Sequence, residues 1–180
     1  MKSVSEAIAS LLRDSRPLTV SESIELRAAE GRTLADDLVS PLDVPPADNS
    51  AMDGYAMRFD DWASPGTALP LSQRITAGSV PEPLAEGTAA RIFTGASIPD
   101  GADTVVMQEH CRVEGSRLFI EHAVNAGANI RPRGNDITAG RTILQTGTLL
   151  KAAHLGLAAS VGVTGAEVFR RLKVAIFSTG

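Results

Sequence analysis

The chain has 180 residues, enough for one domain or two small ones and for a core that buries about 70% of the surface an unfolded chain exposes. With 43% hydrophobic and 21% charged residues, and no G-X-Y period or heptad run, it reads as neither a disordered chain nor a fibre. Seventeen basic residues against twenty-one acidic ones give a net charge of −4, which excludes the broad basic footprint of a nucleic-acid or anionic-membrane protein and leaves only local anion sites open.

In chain order, the first element is a helix. Ser3 and Glu6 make an S-x-x-E capping box, and Val4, Ala7, Ile8, Leu11 and Leu12 follow on one face up to Arg16-Pro17. Residues 21–26 alternate as a strand, Arg27 to Glu30 turn as a short helix stopped by Gly31, and Thr33 to Val39 return as a second strand. From Pro41 to Gly54 the run PLDVPPADNSAMDG, with its three prolines, predicts a long ordered loop with no regular element. Between Thr67 and Leu149 the helical period is gone. Short β-favourable runs take its place, LPLSQRI, AARIF, DTVVMQE, CRV, RLFIEH and TILQ, separated by Gly, Pro, Asn and Asp. Glu114-Gly115 lies between two of them and marks a hairpin, the glycine supplying a positive φ. KAAHLGLAAS resumes the helical pattern, with Gly162 as its C-terminal cap. Last comes LKVAIF, a continuous apolar strand of the kind buried in a parallel sheet, followed by a Ser178-Thr179-Gly180 turn.

The sequence thus predicts an α+β fold. Residues 1–43 and 142–171 make a discontinuous helical and extended domain, 44–141 an inserted β-rich domain, and 172–180 the first strand of a further α/β domain, so the chain reads as a fragment of a longer protein. Cys111 is alone, so no internal disulfide or CxxC motif exists, and a reducing cytoplasm is expected. The amino terminus lacks the continuous apolar run of a signal peptide, and the longest nearly apolar run, Leu155 to Val163, is far short of the ~20 residues that span a bilayer. G-x-G-x-x-G, G-x-x-x-x-G-K-[ST] and G-x-S-x-G are all absent, which removes nucleotide-loop and hydrolase-elbow chemistry. His110, His122 and His154 fit no zinc spacing and read as surface or half-buried side chains.

Three stretches carry chemistry. Asp43, Asp48, Asn49, Ser50 and Asp53 put short oxygen-bearing side chains on irregular backbone, able to hold a hard divalent cation or orient a water, although the same residues are ordinary in turns. The segment from Arg91 to Asp100 runs a strand into a Thr94-Gly95 turn whose hydroxyl and amides can receive an oxyanion. Asn129 to Asp136 sets Arg131 and Arg133 beside an aspartate, equipment for gripping an oxyanion next to a carboxylate-bound cation, or else an exposed charged turn.

Taken together, SPLDVPPADNSAMDGYAMR at 40–58, RIFTGASIPDGADTVVMQE at 91–109, NIRPRGNDI at 129–137 and KVAIFSTG at the end resemble the MoeA-type molybdopterin molybdenumtransferases, the molybdenum insertases that include the E domain of gephyrin. The strings occur in that family's order and spacing, and the resemblance extends over essentially the whole chain. It implies insertion of molybdate into adenylylated molybdopterin with release of AMP, supported by a divalent cation such as Mg²⁺, in molybdenum cofactor biosynthesis. Carried over position by position, Asp53 and Asp136 become water- or metal-orienting carboxylates, Thr94 an oxyanion or substrate contact, and Arg131 an anion clamp. The resemblance further implies a cytoplasmic homodimer, with a molybdopterin adenylyltransferase as pathway partner and neither nucleic acid nor membrane as ligand. Its molybdopterin-binding α/β domain would begin at LKVAIF, and the cleft would lie between the β-rich domain of one subunit and later domains of the other. Two departures stand out. Pro132 sits between the two arginines where relatives often carry another basic residue, and the acidic pair that follows the family's STG turn lies past Gly180. Against the enzyme reading stands a non-catalytic dimerisation or scaffold module, with the isolated chain inactive.

Overall fold

The computed structural model describes residues 3–16, 19–62, 64–176 and 178. Two helices stand among many short strands, and the chain divides into two compact units, Met1–Pro41 with Gly140–Gly180, and Leu42–Ala139.

The first unit opens with helix α1, Val4–Asp14. The Ser3 hydroxyl accepts from the Glu6 amide and the Glu6 carboxylate accepts from the Ser3 amide, so two amides that a helix start leaves unpaired are satisfied reciprocally. Its apolar face is not covered: Ile8 is 52% and Leu12 67% exposed. The core of the unit closes without it. Strand β1, Ser21–Glu25, and the short 3₁₀ turn Leu26–Ala28 come first, and β2 is reduced to Leu38–Val39, with Thr33 and Leu34 contributing only isolated bridges. From the returning segment come β11, Thr142–Leu144, helix α2, Ala152–Ser160, and β12, Gly165–Phe169. β1 pairs antiparallel with β12 and β2 with β11, and Leu26, Leu34, Leu38, Leu144, Leu150 and Val168 fill the space between them. β12 carries no strong strand signal; its pairing with β1 makes it a strand. LKVAIF behaves differently. Leu172 to Ile176 form no strand, and Val174 and Ile176 are exposed, since an extended apolar run needs a partner to become a sheet. Phe177, Thr179 and Gly180 of that expected strand and turn lie outside the described residues.

The second unit is built on a six-stranded sheet. Its strands are β4 (Gly54–Met57), β5 (Ala68–Ile75), β6 (Ala89–Ile92), β7 (Thr104–Met107), β8 (Cys111–Glu114) and β9 (Arg117–Ile120). They lie in the order β7-β4-β6-β5-β9-β8, and only the β5–β6 pair is parallel. Glu114 pairs with Arg117 across the β8–β9 hairpin, where Gly115 takes φ +61°. The supposed loop 41–54 holds one two-residue strand, β3, Asn49–Ser50, paired antiparallel with β10, Ile130–Arg131. Ala56, Ile75, Ile92 and Val105 pack in one cluster, and Met57, Leu69, Val106, Leu118 and Ile120 in another. β4 sits between β6 and β7. A Cβ on Gly54 would fall 2.0 Å from the Val106 carbonyl oxygen, so only glycine permits this close approach of backbones.

Candidate functional site

The four residues singled out from the sequence fall into two pairs, both in the second unit. Asp53 immediately precedes β4, its carbonyl accepting from the Gln108 amide. β6 ends at Ile92, and the chain turns at Thr94-Gly95 with Gly95 at φ +80°. One oxygen of Asp53, Oδ1, accepts from both the Thr94 amide and the Thr94 hydroxyl, each at 2.8 Å. The amide foremost, then the hydroxyl and the nearby Arg91 charge, hold the Asp53 carboxyl below the ordinary carboxylate value. Asp53 Oδ2 has no hydrogen-bond partner among the described residues.

Arg91 escapes a reading of the sequence by motif. It sits opposite Tyr55 across β4–β6 and two residues before Phe93, so its guanidinium stacks over both rings, with centroids at 5.0 and 4.7 Å. It also donates to the Gly54 carbonyl at 3.0 Å and to Gln108. A basic residue alternating with an aromatic one along a strand was the available signal.

The second pair is Arg131 and Asp136. Arg131 closes β10 opposite Asn49, and its guanidinium donates to Asp136 Oδ2. The Asn135 side-chain amide donates to Asp136 Oδ1 at 3.0 Å. Arg131 first, then Asn135, hold the Asp136 carboxyl below its ordinary value. Both side chains of the pair are exposed, unlike that of Asp53.

No hydrogen bond joins the two pairs directly among the described residues. Their backbones are linked through β3: Ser50 pairs with Ile130, Asn49 bridges Ser97, and the Gly95 amide donates to the Ser50 carbonyl at 2.8 Å. Asp43 and Asp48, which the sequence left open between a cation or water role and ordinary turn residues, are engaged by protein donors. Asp43 accepts from the Ala139 amide and the Arg133 guanidinium, and Asp48 accepts from the Arg133 amide at 2.7 Å. A hollow of about 390 Å³ opens beside them, lined in part by Asp48, Ile98, Asp100 and Arg133; none of the four singled-out residues lines it.

The donor set fits a hard cation in one respect. Asp53 offers a carboxylate oxygen, and Mg²⁺ is commonly held by one or two carboxylates with water and substrate oxygens completing its shell. Asp136 has both oxygens engaged, Oδ2 by Arg131 and Oδ1 by Asn135, so a cation there would share them with those donors. Among the described residues no group of three or more His, Cys, Asp or Glu is arranged to hold a metal. The His110 and His122 rings stack on each other with centroids 4.7 Å apart, and His154 Nδ1 takes up the Lys151 amide at the start of α2. Burial pushes the Cys111 thiol up to about 12, which disfavours the thiolate. No helix among the described residues is long and apolar enough to cross a membrane.

Comparison with known proteins places the chain in a family. Residues 2–162 match the family described as MoeA N-terminal region (domain I and II). The chain is 44% identical over 165 residues to a molybdopterin molybdenumtransferase of Nostoc sp., covering 89% of this chain and 38% of that protein. It is 39% identical over 188 residues to molybdopterin molybdenumtransferase 2 of Mycobacterium tuberculosis, covering 100% of this chain and 45% of the relative. Among solved structures, the molybdopterin biosynthesis MoeA protein from Pyrococcus horikoshii OT3 superposes with a TM-score of 0.82 at 34% identity, covering 91% of this chain and 45% of that one. The chain therefore spans less than half the length of these relatives.

Proposed function

The chain belongs to the MoeA family, matching its N-terminal region, and from that premise we propose that it serves a molybdenum insertase, which inserts molybdate into adenylylated molybdopterin and releases AMP. Molybdate is a tetrahedral dianion. Bringing it to a second anionic ligand calls for fixed positive charge, hydroxyl or amide donors and an oriented carboxylate in one place. In this reading Arg131 clamps the anion, Thr94 contacts the oxyanion or substrate, and Asp53 and Asp136 orient water or a divalent cation. Mg²⁺, when bound, would neutralise charge between the two anions.

The observation that carries the reading is the Asp53–Thr94 pair: a carboxylate held ionised by an amide and a hydroxyl, with its second oxygen free, one β3 ribbon away from an arginine–carboxylate pair. The uncovered apolar face of α1, at Ile8 and Leu12, supports assembly as a homodimer and gives the scaffold reading its footing. The relatives are more than twice as long; in this reading groups outside these 180 residues complete the cleft, and the 180-residue chain alone is expected not to turn over. The test is molybdenum insertion by a full-length transferase carrying this region. Asp53→Asn and Asp136→Asn should each lower insertion severely with the fold intact; unchanged turnover in both would remove the carboxylates from the reaction and leave the scaffold reading.

A further inference from the structure

Arg131 and Asp136 are surface groups, with side chains 46% and 40% exposed. An ion pair this open to water gains too little to fix two side chains in one geometry by itself. Arg131 stands on a strand of two residues, and Asp136 on the turn that follows. Something beneath them must set their positions.

We propose that Asp43 is a positioning residue for the Arg131–Asp136 pair, the carboxylate on which the turn presenting that pair is built. Its side chain is only 11% exposed, and its two oxygens face two donors from opposite ends of one turn. Oδ1 accepts from the Ala139 amide at 2.7 Å, and Oδ2 accepts from the Arg133 guanidinium. The residues that follow Asp43 continue the template. The Val44 carbonyl accepts from the Asp136 amide at 2.9 Å and the Ile137 amide at 3.2 Å, and the Pro45 carbonyl accepts from the Gly134 amide at 2.9 Å. Asp48 Oδ1 takes the Arg133 amide. Gly134 completes the fit: it takes φ +69°, and a Cβ there would lie 3.2 Å from Asp43 Oδ1. Among the described residues Asp43 makes no hydrogen bond or ion pair to Arg131 or Asp136, so it acts through the turn.

A carboxylate is the group this position needs. Both partners are donors, and an amide in its place would turn an NH₂ toward either the guanidinium or the backbone N–H, leaving donor against donor. The importance of this placement rests on the function proposed above; the placement itself does not.

The test is amide hydrogen exchange by NMR on the 180-residue chain, with the Arg131 Nε–Hε resonance followed during titration with molybdate. In Asp43→Asn, the Ala139 amide should exchange on the order of tenfold faster, as expected when a hydrogen bond to a charged group is lost, and the Gly134, Asp136 and Ile137 amides of the same turn should speed up with it. The Thr94 amide, held by Asp53, should keep its rate. The molybdate-induced shift of Arg131 should need several-fold more molybdate than in the wild type. Unchanged exchange in the turn would overturn the proposal, and so would equal acceleration at Thr94, which would assign the effect to general destabilisation. If Asp43→Asn does not fold, Arg133→Gln removes one donor and leaves the Ala139 bond; faster exchange confined to the same amides supports the proposal, and none overturns it. Should wild-type Arg131 ignore molybdate, the functional reading loses its anion contact while the exchange pattern still decides the role of Asp43.

Discussion

Asp53 and Asp136 are carboxylates with depressed pKa values in the same unit, yet they are held by different means. Asp53 is anchored at the start of β4, an interior strand of a six-stranded sheet, and accepts from one residue through an amide and a hydroxyl, neither of them charged. Asp136 sits on an exposed turn, accepts from a guanidinium, and owes its place to a second aspartate underneath. The first inherits the rigidity of the sheet; the second depends on a network of charge-assisted hydrogen bonds on a short ribbon. The difference teaches that a site can combine a fixed half with an adjustable half, and that the two should respond differently to packing changes, acid and salt.

The largest expected effect breaks the fixed half. Gly54→Ala would drive a Cβ into the Val106 carbonyl and part β4 from β7, at a cost on the order of 4 kcal/mol or more, read as loss of cooperative unfolding in a urea titration. Next comes Ile92→Ala, two residues before Thr94 and fully buried, with about 2–5 kcal/mol lost in the same titration.

Acid should act on both halves in the same direction. Asp43, Asp53 and Asp136 all have folded-state values below their unfolded ones, so their contribution is complete above the unfolded carboxylate value, roughly pH 4, and is lost as pH falls through the folded values. The urea midpoint should therefore drop on going from pH 5 downward; a midpoint flat in that window would contradict the assigned bonds. Salt separates the halves. Added NaCl should move the Asp136 side-chain resonance toward that of an unpaired carboxylate and leave Asp53 nearly still, because uncharged donors are not screened. The smallest effect lies elsewhere: Ile8→Ala on the uncovered face of α1 should change stability by no more than about 0.5 kcal/mol in the isolated chain.

Where the sequence was legible, local chemistry explains why. The capping box and 3.6-residue period define α1, and Glu114-Gly115 between β-favourable runs defines the β8–β9 hairpin. β4 was illegible because GYAM neither alternates nor stands clear of the proline- and aspartate-rich run before it; it is a strand because β6 and β7 flank it. Two-residue strands such as β3 and β10 have no period to read. LKVAIF shows the converse, a strong strand signal without a strand over Leu172 to Ile176. At the site, resemblance supplied the identities of Asp53, Thr94, Arg131 and Asp136, but not their partners. The Thr94–Asp53 bonds span 41 positions and the Ala139–Asp43 bond 96, and nothing local encodes either. That distance is also why the sequence left Asp43 open between a cation or water role and a turn residue, while the structure engages it with the turn that carries Asp136.

In the proposed reaction the fixed and adjustable halves work on one substrate. A double-mutant cycle measures this most directly, using kcat/KM for molybdenum insertion by a full-length transferase carrying this region, with Asp53→Asn, Asp136→Asn and both together. Residues that act on the same reacting group are strongly non-additive, so the double variant should be little worse than the more impaired single one. Losses that multiply, each half costing its full factor in the presence of the other, would show two independent sites and contradict the account.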